Sequence, residues 1–221
     1  MTVLIAGAGI GGLTLALALH KRGIASRIFE AAQTLGPLGV GINVLPHAMR
    51  ELDALGLQDE LLEVGVRTQE IAFYNRFGQF IHSEPRGEYA GYDWPQISLH
   101  RAKLQAVLLR AVLERLGEDA VAFGHRLVFA DQSGDGVMAT FEVTGAGSRL
   151  DHASGEVLVG CDGIRSAVRS LVNPAPDPLR YSGITMWRGV TRSQPFLTGA
   201  TMAYAGWLET GKVIAYPIEE P

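Results

Sequence analysis

Residues Gly7-Ala8-Gly9-Ile10-Gly11-Gly12 match a G-x-G-x-x-G spacing, with Gly7, Gly9 and Gly12 at its three glycine positions. Each position has a physical reason. The first glycine permits a tight turn out of a strand, the second lets backbone approach a pyrophosphate, and the third lets a helix pack on the strand. The helix that follows turns its unpaired N–H groups and positive dipole end toward the phosphates, and Ile10 and Gly11 count with the three glycines as cofactor-binding candidates. Glu30 follows Gly12 by 18 residues, where a carboxylate accepts hydrogen bonds from a ribose hydroxyl pair. A carboxylate there suits NAD or the adenosine half of FAD and disfavours NADP. Alone, Glu30 reads as a solvated strand-end carboxylate, and the glycine motif is weak in a chain with 27 glycines.

The elements around the motif decide the reading. Val3-Leu4-Ile5-Ala6 is a continuous apolar run, as expected for a parallel strand buried on both faces. Residues 13–22 form a helix that Gly23 stops. Residues 26–29 form a second strand that delivers Glu30. This unit explains the uncharged N-terminal stretch better than a signal peptide or membrane span. No basic residue precedes the stretch, and Lys21 and Arg22 follow it. A soluble cytoplasmic protein is expected. Further along come a glycine-rich loop over 31–45, helices over 46–55 and 58–64, and a hairpin of 70–74 with 79–83. A long helix over 101–116 is capped by Ser98 or His100. Strands follow over 120–123, 126–131, 137–143 and 156–161, then three read as antiparallel over 182–191, 201–205 and 213–216. The fold class is α/β: a Rossmann-like nucleotide-binding domain (1–70 and 98–175) interleaved with a mostly antiparallel sheet domain (71–97 and 178–221).

Composition narrows the function. The net charge is −4, and no Lys/Arg run marks a basic face, so nucleic acid is not the expected partner. One cysteine, Cys161, leaves no disulfide framework and no cysteine zinc site; it reads as a small buried filler. The six histidines never fall at i, i+4, so no metal is expected. No G-x-S-x-G elbow supports hydrolase chemistry.

The segment Leu158-Val159-Gly160-Cys161-Asp162-Gly163-Ile164-Arg165-Ser166-Ala167-Val168-Arg169 reads as a strand that delivers Asp162, a turn at Gly163, and a helix capped by Ser166. On its own it is equally an ordinary strand–turn–helix with a capping aspartate. Glycine loop, Glu30, Arg101 and this segment occur in order, and the combination resembles the single-component FAD-dependent aromatic hydroxylases typified by para-hydroxybenzoate hydroxylase. Residues 37–43, 83–87 and 183–190 look like the phenazine hydroxylases within that group. The resemblance runs through the whole chain.

The resemblance implies an FAD-binding domain of the para-hydroxybenzoate-hydroxylase type with a substrate sheet that is incomplete at the C-terminus, because family chains are longer. It implies hydroxylation of an aromatic small molecule with NADPH or NADH and O₂ through a flavin C4a-hydroperoxide. A single G-x-G-x-x-G leaves the nicotinamide to dock transiently. By the same resemblance Arg101 reaches the FAD pyrophosphate, Asp162 and Gly163 lie near the flavin phosphates, and Gly41 to Asn43 pass near the flavin ring. Arg169 orients its own loop. Arg188 faces an anionic substrate or the flavin, and Trp187 stacks on a planar substrate. The residues alone fit equally a core tryptophan and an exposed arginine. A reductase or dehydrogenase on the same scaffold, or a non-catalytic fragment, stays open at this point.

Overall fold

The computed structural model describes residues 1–36, 39–145, 149–173, 175, 178–207, 209 and 211–219. In chain order the elements are β1 (Thr2–Ala6), α1 (Ile10–His20), β2 (Ala25–Glu30), β3 (Gly41–Val44), α2 (Pro46–Ala54), α3 (Gln58–Val64), β4 (Gly65–Arg67), β5 (Glu70–Tyr74), β6 (Phe80–Pro85), β7 (Ile97–His100), α4 (Arg101–Leu116), β8 (Val121–Phe123), β9 (His125–Ser133), β10 (Gly136–Val143), β11 (Leu150–Gly155), β12 (Val157–Gly160), α5 (Ala167–Val172), β13 (Thr201–Trp207) and β14 (Gly211–Ala215). They form two compact units, one of Met1–Gly36 with Gln105–Met186 and one of Pro37–Leu104 with Trp187–Pro221.

In the first unit β1 buries every residue from Val3 to Ala6, which places it inside a parallel sheet. The strand order is β12-β1-β2-β8, and every pairing is parallel. A parallel pair needs a crossover, and α1 supplies it between β1 and β2, burying Gly12, Leu13, Ala16 and Leu17. Gly23, at φ +71°, ends the helix with its N–H on the His20 carbonyl at 2.9 Å. Strands β11, β10 and β9 form an antiparallel sheet. Phe29 of β2 stacks on Phe141 of β10 with centroids 4.1 Å apart. Leu4, Ala6, Leu127, Ala139 and Ala153 complete this buried cluster.

The second unit holds a four-stranded sheet, β14-β13-β5-β6, and a three-stranded sheet, β3-β7-β4. The smaller sheet is antiparallel, with β7 central. Helices α2 and α3 bury Met49, Leu52 and Leu61. Helix α4 begins in this unit and belongs to the first from Gln105 onward.

Several expectations change. Residues 182–191 form no strand and are exposed throughout. Alternation gives a strand only where a neighbour supplies hydrogen bonds, and among the described residues none pairs with this segment. Strand β13 runs antiparallel to β14, as expected, but parallel to β5. Residues 41–44 are strand within the expected loop, and β4, β7 and β11 were not expected. His100 caps α4, accepting from the Ala102 N–H at 3.2 Å, while Ser98 lies inside β7. Pro37 and Leu38, which begin one of the resembling stretches, lie outside the described residues. Among the described residues no helix is long and apolar enough to cross a membrane.

Candidate cofactor-binding site

Because β1, β2 and β12 run parallel, their C-terminal residues Ala6, Glu30 and Gly160 share one edge of the sheet. Open α/β sheets take ligands at that edge. Gly7 leaves β1 at φ +103°, its N–H on the Phe29 carbonyl at 2.8 Å. A Cβ at Gly7 would stand 2.4 Å from the Cys161 carbonyl oxygen, and one at Gly12 would stand 1.9 Å from the Gly7 carbonyl oxygen. Both obstacles are backbone, so the chain's own packing demands these two glycines.

Gly9 and Gly11 are different. A Cβ at either would meet no atom within 4 Å, and Gly9 has ordinary extended angles, φ −71° and ψ 178°. Among the described residues nothing requires glycine at position 9. A phosphate lying against the bare backbone would, because Gly9 is the N-cap of α1 and has no side chain to satisfy the N–H groups of the first turn. The donor set and the open Cβ positions fit a dinucleotide pyrophosphate.

Glu30 closes the loop electrostatically. Its Oε2 accepts from the Ala8 N–H at 2.7 Å and its Oε1 from the Ala32 N–H at 2.8 Å. A carboxylate oxygen accepts about two hydrogen bonds, so each keeps acceptor capacity for a ribose hydroxyl. Gln105 donates from Nε2 to the Ala8 carbonyl at 2.9 Å, so Ala8 is held at both its N–H and its C=O. Sequence reasoning missed Gln105; its only signal is a place one helical turn after Arg101.

Asp162 follows β12 and turns its carboxylate into α5. Its Oδ1 accepts from the Ser166 hydroxyl at 2.6 Å, and its Oδ2 accepts from the Ala167 N–H at 2.6 Å and the Val168 N–H at 3.3 Å. Ser166 in turn accepts from the Arg169 N–H at 2.9 Å. The side chain of Asp162 thus caps a helix. Gly163 turns the chain at φ +80°, and the Arg169 guanidinium holds that turn through the Ile164 carbonyl at 2.7 Å.

Cys161 is half-buried rather than a core filler. Burial raises its thiol pKa, and the neighbouring Asp162 carboxylate raises it further. The thiolate is the nucleophile, so at neutral pH iodoacetamide should alkylate Cys161 more slowly than free cysteine. The rate should climb as pH rises through the elevated pKa. Labelling as fast as free cysteine at neutral pH would contradict this.

The remaining expected residues lie in the second unit. Arg101 opens α4, with its N–H on the Val40 carbonyl at 3.0 Å and its methylenes 3.3–3.8 Å from where a Cβ on Gly39 would stand. Gly41 is a buried strand residue, not a turn. A Cβ there would lie 2.6 Å from Tyr216 Cε2. Arg188 donates to the Gly41 carbonyl at 2.7 Å, which brings two expected residues together. Trp187 does not join them; it is 93% exposed.

The family model described as FAD binding domain matches residues 1–184. The phenazine 1,6-dicarboxylic acid hydroxylase PhzS of Lysobacter antibioticus is 42% identical over 216 residues, which are 97% of this chain and 53% of that protein. The aurachin C monooxygenase/isomerase of Stigmatella aurantiaca is 40% identical over 191 residues, 86% of this chain and 47% of its own. Among solved structures, a single-residue variant of Klebsiella pneumoniae HpxO complexed with FAD matches with a TM-score of 0.79 at 26% identity, over 99% of this chain and 54% of that one. The chain spans about half the length of the curated relatives it matches.

Proposed function

The chain belongs to the FAD binding domain family, and from that premise we propose that it holds FAD at its glycine loop and serves the hydroxylation of an aromatic small molecule. NADH or NADPH is the transient reductant and O₂ the co-substrate. The observation that carries this reading is the 42% identity to a phenazine hydroxylase over 97% of the chain, and the substrate class we assign is accordingly a phenazine-like ring. The compartment assigned is the cytoplasm, where reduced nicotinamide is supplied.

In this reading Gly7 and Gly12 shape the loop, while the backbone of Gly9, Ile10, Gly11 and Gly12 offers N–H groups to the pyrophosphate. Glu30 orients the adenosine ribose through its remaining acceptor capacity. Arg101 supplies a planar cation that grips phosphate oxygens bidentately. Gly163 shapes a turn beyond the same sheet edge, and Asp162 acts by fixing that turn and α5. Bound FAD supplies the transfer of electrons from nicotinamide to O₂ and of oxygen to the ring. We assign the substrate to residues 71–97 and 178–221, where Arg188 orients an anionic group, Trp187 offers a stacking face, and Gly41 keeps β3 bare beneath Tyr216.

Isotopically labelled O₂ tests this reading. With FAD, reduced nicotinamide and an aromatic acceptor, we expect labelled oxygen in the product at one nicotinamide oxidised per ring hydroxylated. Nicotinamide oxidation that yields only hydrogen peroxide, with no labelled product across phenazine and benzoate acceptors, would favour a reductase instead.

A further inference from the structure

Two buried hydroxyls in the second unit take no part in the reading above. Thr68 and Ser98 are 3% and 1% exposed, with their oxygens 2.6 Å apart. Ser98 stands opposite Asn43 across the β3–β7 pair, and its hydroxyl donates to Asn43 Oδ1 at 2.6 Å. Ser98 has one proton, so Thr68 must be the donor in the other bond. The bonds therefore run one way, from Thr68 to Ser98 to Asn43. They end on the amide oxygen, which leaves the two Nδ2 hydrogens as the remaining donors of the amide. Asn43 is only half-buried, and among the described residues no acceptor meets Nδ2.

An aromatic side chain and a guanidinium both meet Gly41, two residues from that amide. Gly41 and Asn43 are two residues apart on β3 and share a face, roughly 7 Å apart along the strand. On that face Tyr216 covers Gly41, its hydroxyl 2.7 Å from where a Cβ would stand. The Gly41 carbonyl takes the Arg188 guanidinium. Sheet stability alone does not call for this trio, because replacing paired buried hydroxyls by apolar groups of the same shape is often neutral. What the chain of bonds does provide is a single amide orientation.

We propose that Asn43 donates a hydrogen bond to a carbonyl or phenolate oxygen of a bound planar aromatic molecule, and that Ser98 and Thr68 are positioning residues that hold its amide for that purpose. This rests on the proposed function, in which the flavin ring and the aromatic substrate both carry such an oxygen.

The test uses the whole chain with Asn43→Ala, Ser98→Ala and the hydroxyl-keeping Ser98→Thr. Two probes are titrated: FAD, followed by fluorescence, and 3-hydroxybenzoate, followed by isothermal calorimetry in every variant and, where Asn43 is kept, also by its isotope-labelled side-chain amide resonance. Asn43→Ala and Ser98→Ala should weaken one probe about fivefold, and Ser98→Thr should restore it. A loss confined to FAD identifies the flavin ring as the acceptor, and one confined to 3-hydroxybenzoate identifies the substrate. Variants that lose thermal stability yet keep both affinities overturn the proposal and leave the trio structural. Should the wild-type chain take up no FAD, the proposed function fails separately. The amide resonance still decides the inference: a shift with 3-hydroxybenzoate supports it, and no shift overturns it.

Discussion

Gly9→Ala should leave a folded protein that has lost most of its affinity for FAD, whereas Gly12→Ala should damage the fold itself. The two glycines sit three residues apart in one motif, but different neighbours constrain them. A Cβ on Gly12 meets the Gly7 carbonyl at 1.9 Å, and one on Gly9 meets nothing within 4 Å. Overpacking against backbone costs about 3 kcal/mol or more. For a chain of this size that lowers the thermal midpoint by roughly 6–12 °C. At position 9 alanine adopts the existing angles. It loses some N-cap preference and regains about as much through a stiffer unfolded chain, so the net change stays within about 1 kcal/mol. Its Cβ would displace a phosphate from the first-turn N–H groups, and losing one charge-assisted hydrogen bond costs about 1.5–3 kcal/mol, or roughly 10- to 100-fold in the FAD dissociation constant. Thermal melts without ligand, paired with FAD titrations, check both halves. Equal loss of stability in the two variants would contradict the distinction.

Glu30→Gln should weaken adenine dinucleotide binding by about tenfold or more, and the loss should map to the ribose. An amide presents one acceptor edge and one donor edge, so one of the Ala8 and Ala32 N–H groups now bonded to Glu30 would face a donor. A charge-assisted ribose hydrogen bond would be lost with it. A double-mutant cycle separates the two effects. In the wild-type chain 2′,3′-dideoxy-ADP should bind about tenfold more weakly than ADP. In Glu30→Gln the two nucleotides should bind alike, because the partner of the missing hydroxyls is already gone. If both nucleotides lose affinity in parallel and their ratio persists, Glu30 only braces the loop.

The half of the site built by local chain was legible in the sequence, and the half built by distant pairing was not. Val3 to Ala6, the glycine spacing and the interval to Glu30 are short-range features, and β1, α1 and β2 appear where they demand. The helix from Arg101 to Leu116 was equally plain, because sixteen residues carry enough apolar repeats to show the helical period. Strands β3, β4 and β7 have three or four residues each, too few for a period of two to emerge. With them the Thr68–Ser98–Asn43 chain stayed hidden, since it exists only once β7 lies between β3 and β4. Residues 182–191 failed in the opposite sense: the pattern is strand-like, but among the described residues no strand pairs with it. Gln105 carries no charge and reads as one polar position of an amphipathic helix, so only its contact with Ala8 reveals its part. Asp162 shows why a motif names a place more reliably than a contact. The segment forms at the sheet edge, yet the carboxylate caps α5.

The most direct measurement is the visible absorption spectrum of the purified chain after it is mixed with FAD and desalted. A glycine loop held by Glu30 and Gln105 predicts a retained flavin whose bands differ from those of free FAD, and Gly9→Ala should retain little of it while melting like the wild-type chain. Complete passage of FAD through the column with the protein still folded would contradict the assignment of this loop to the cofactor.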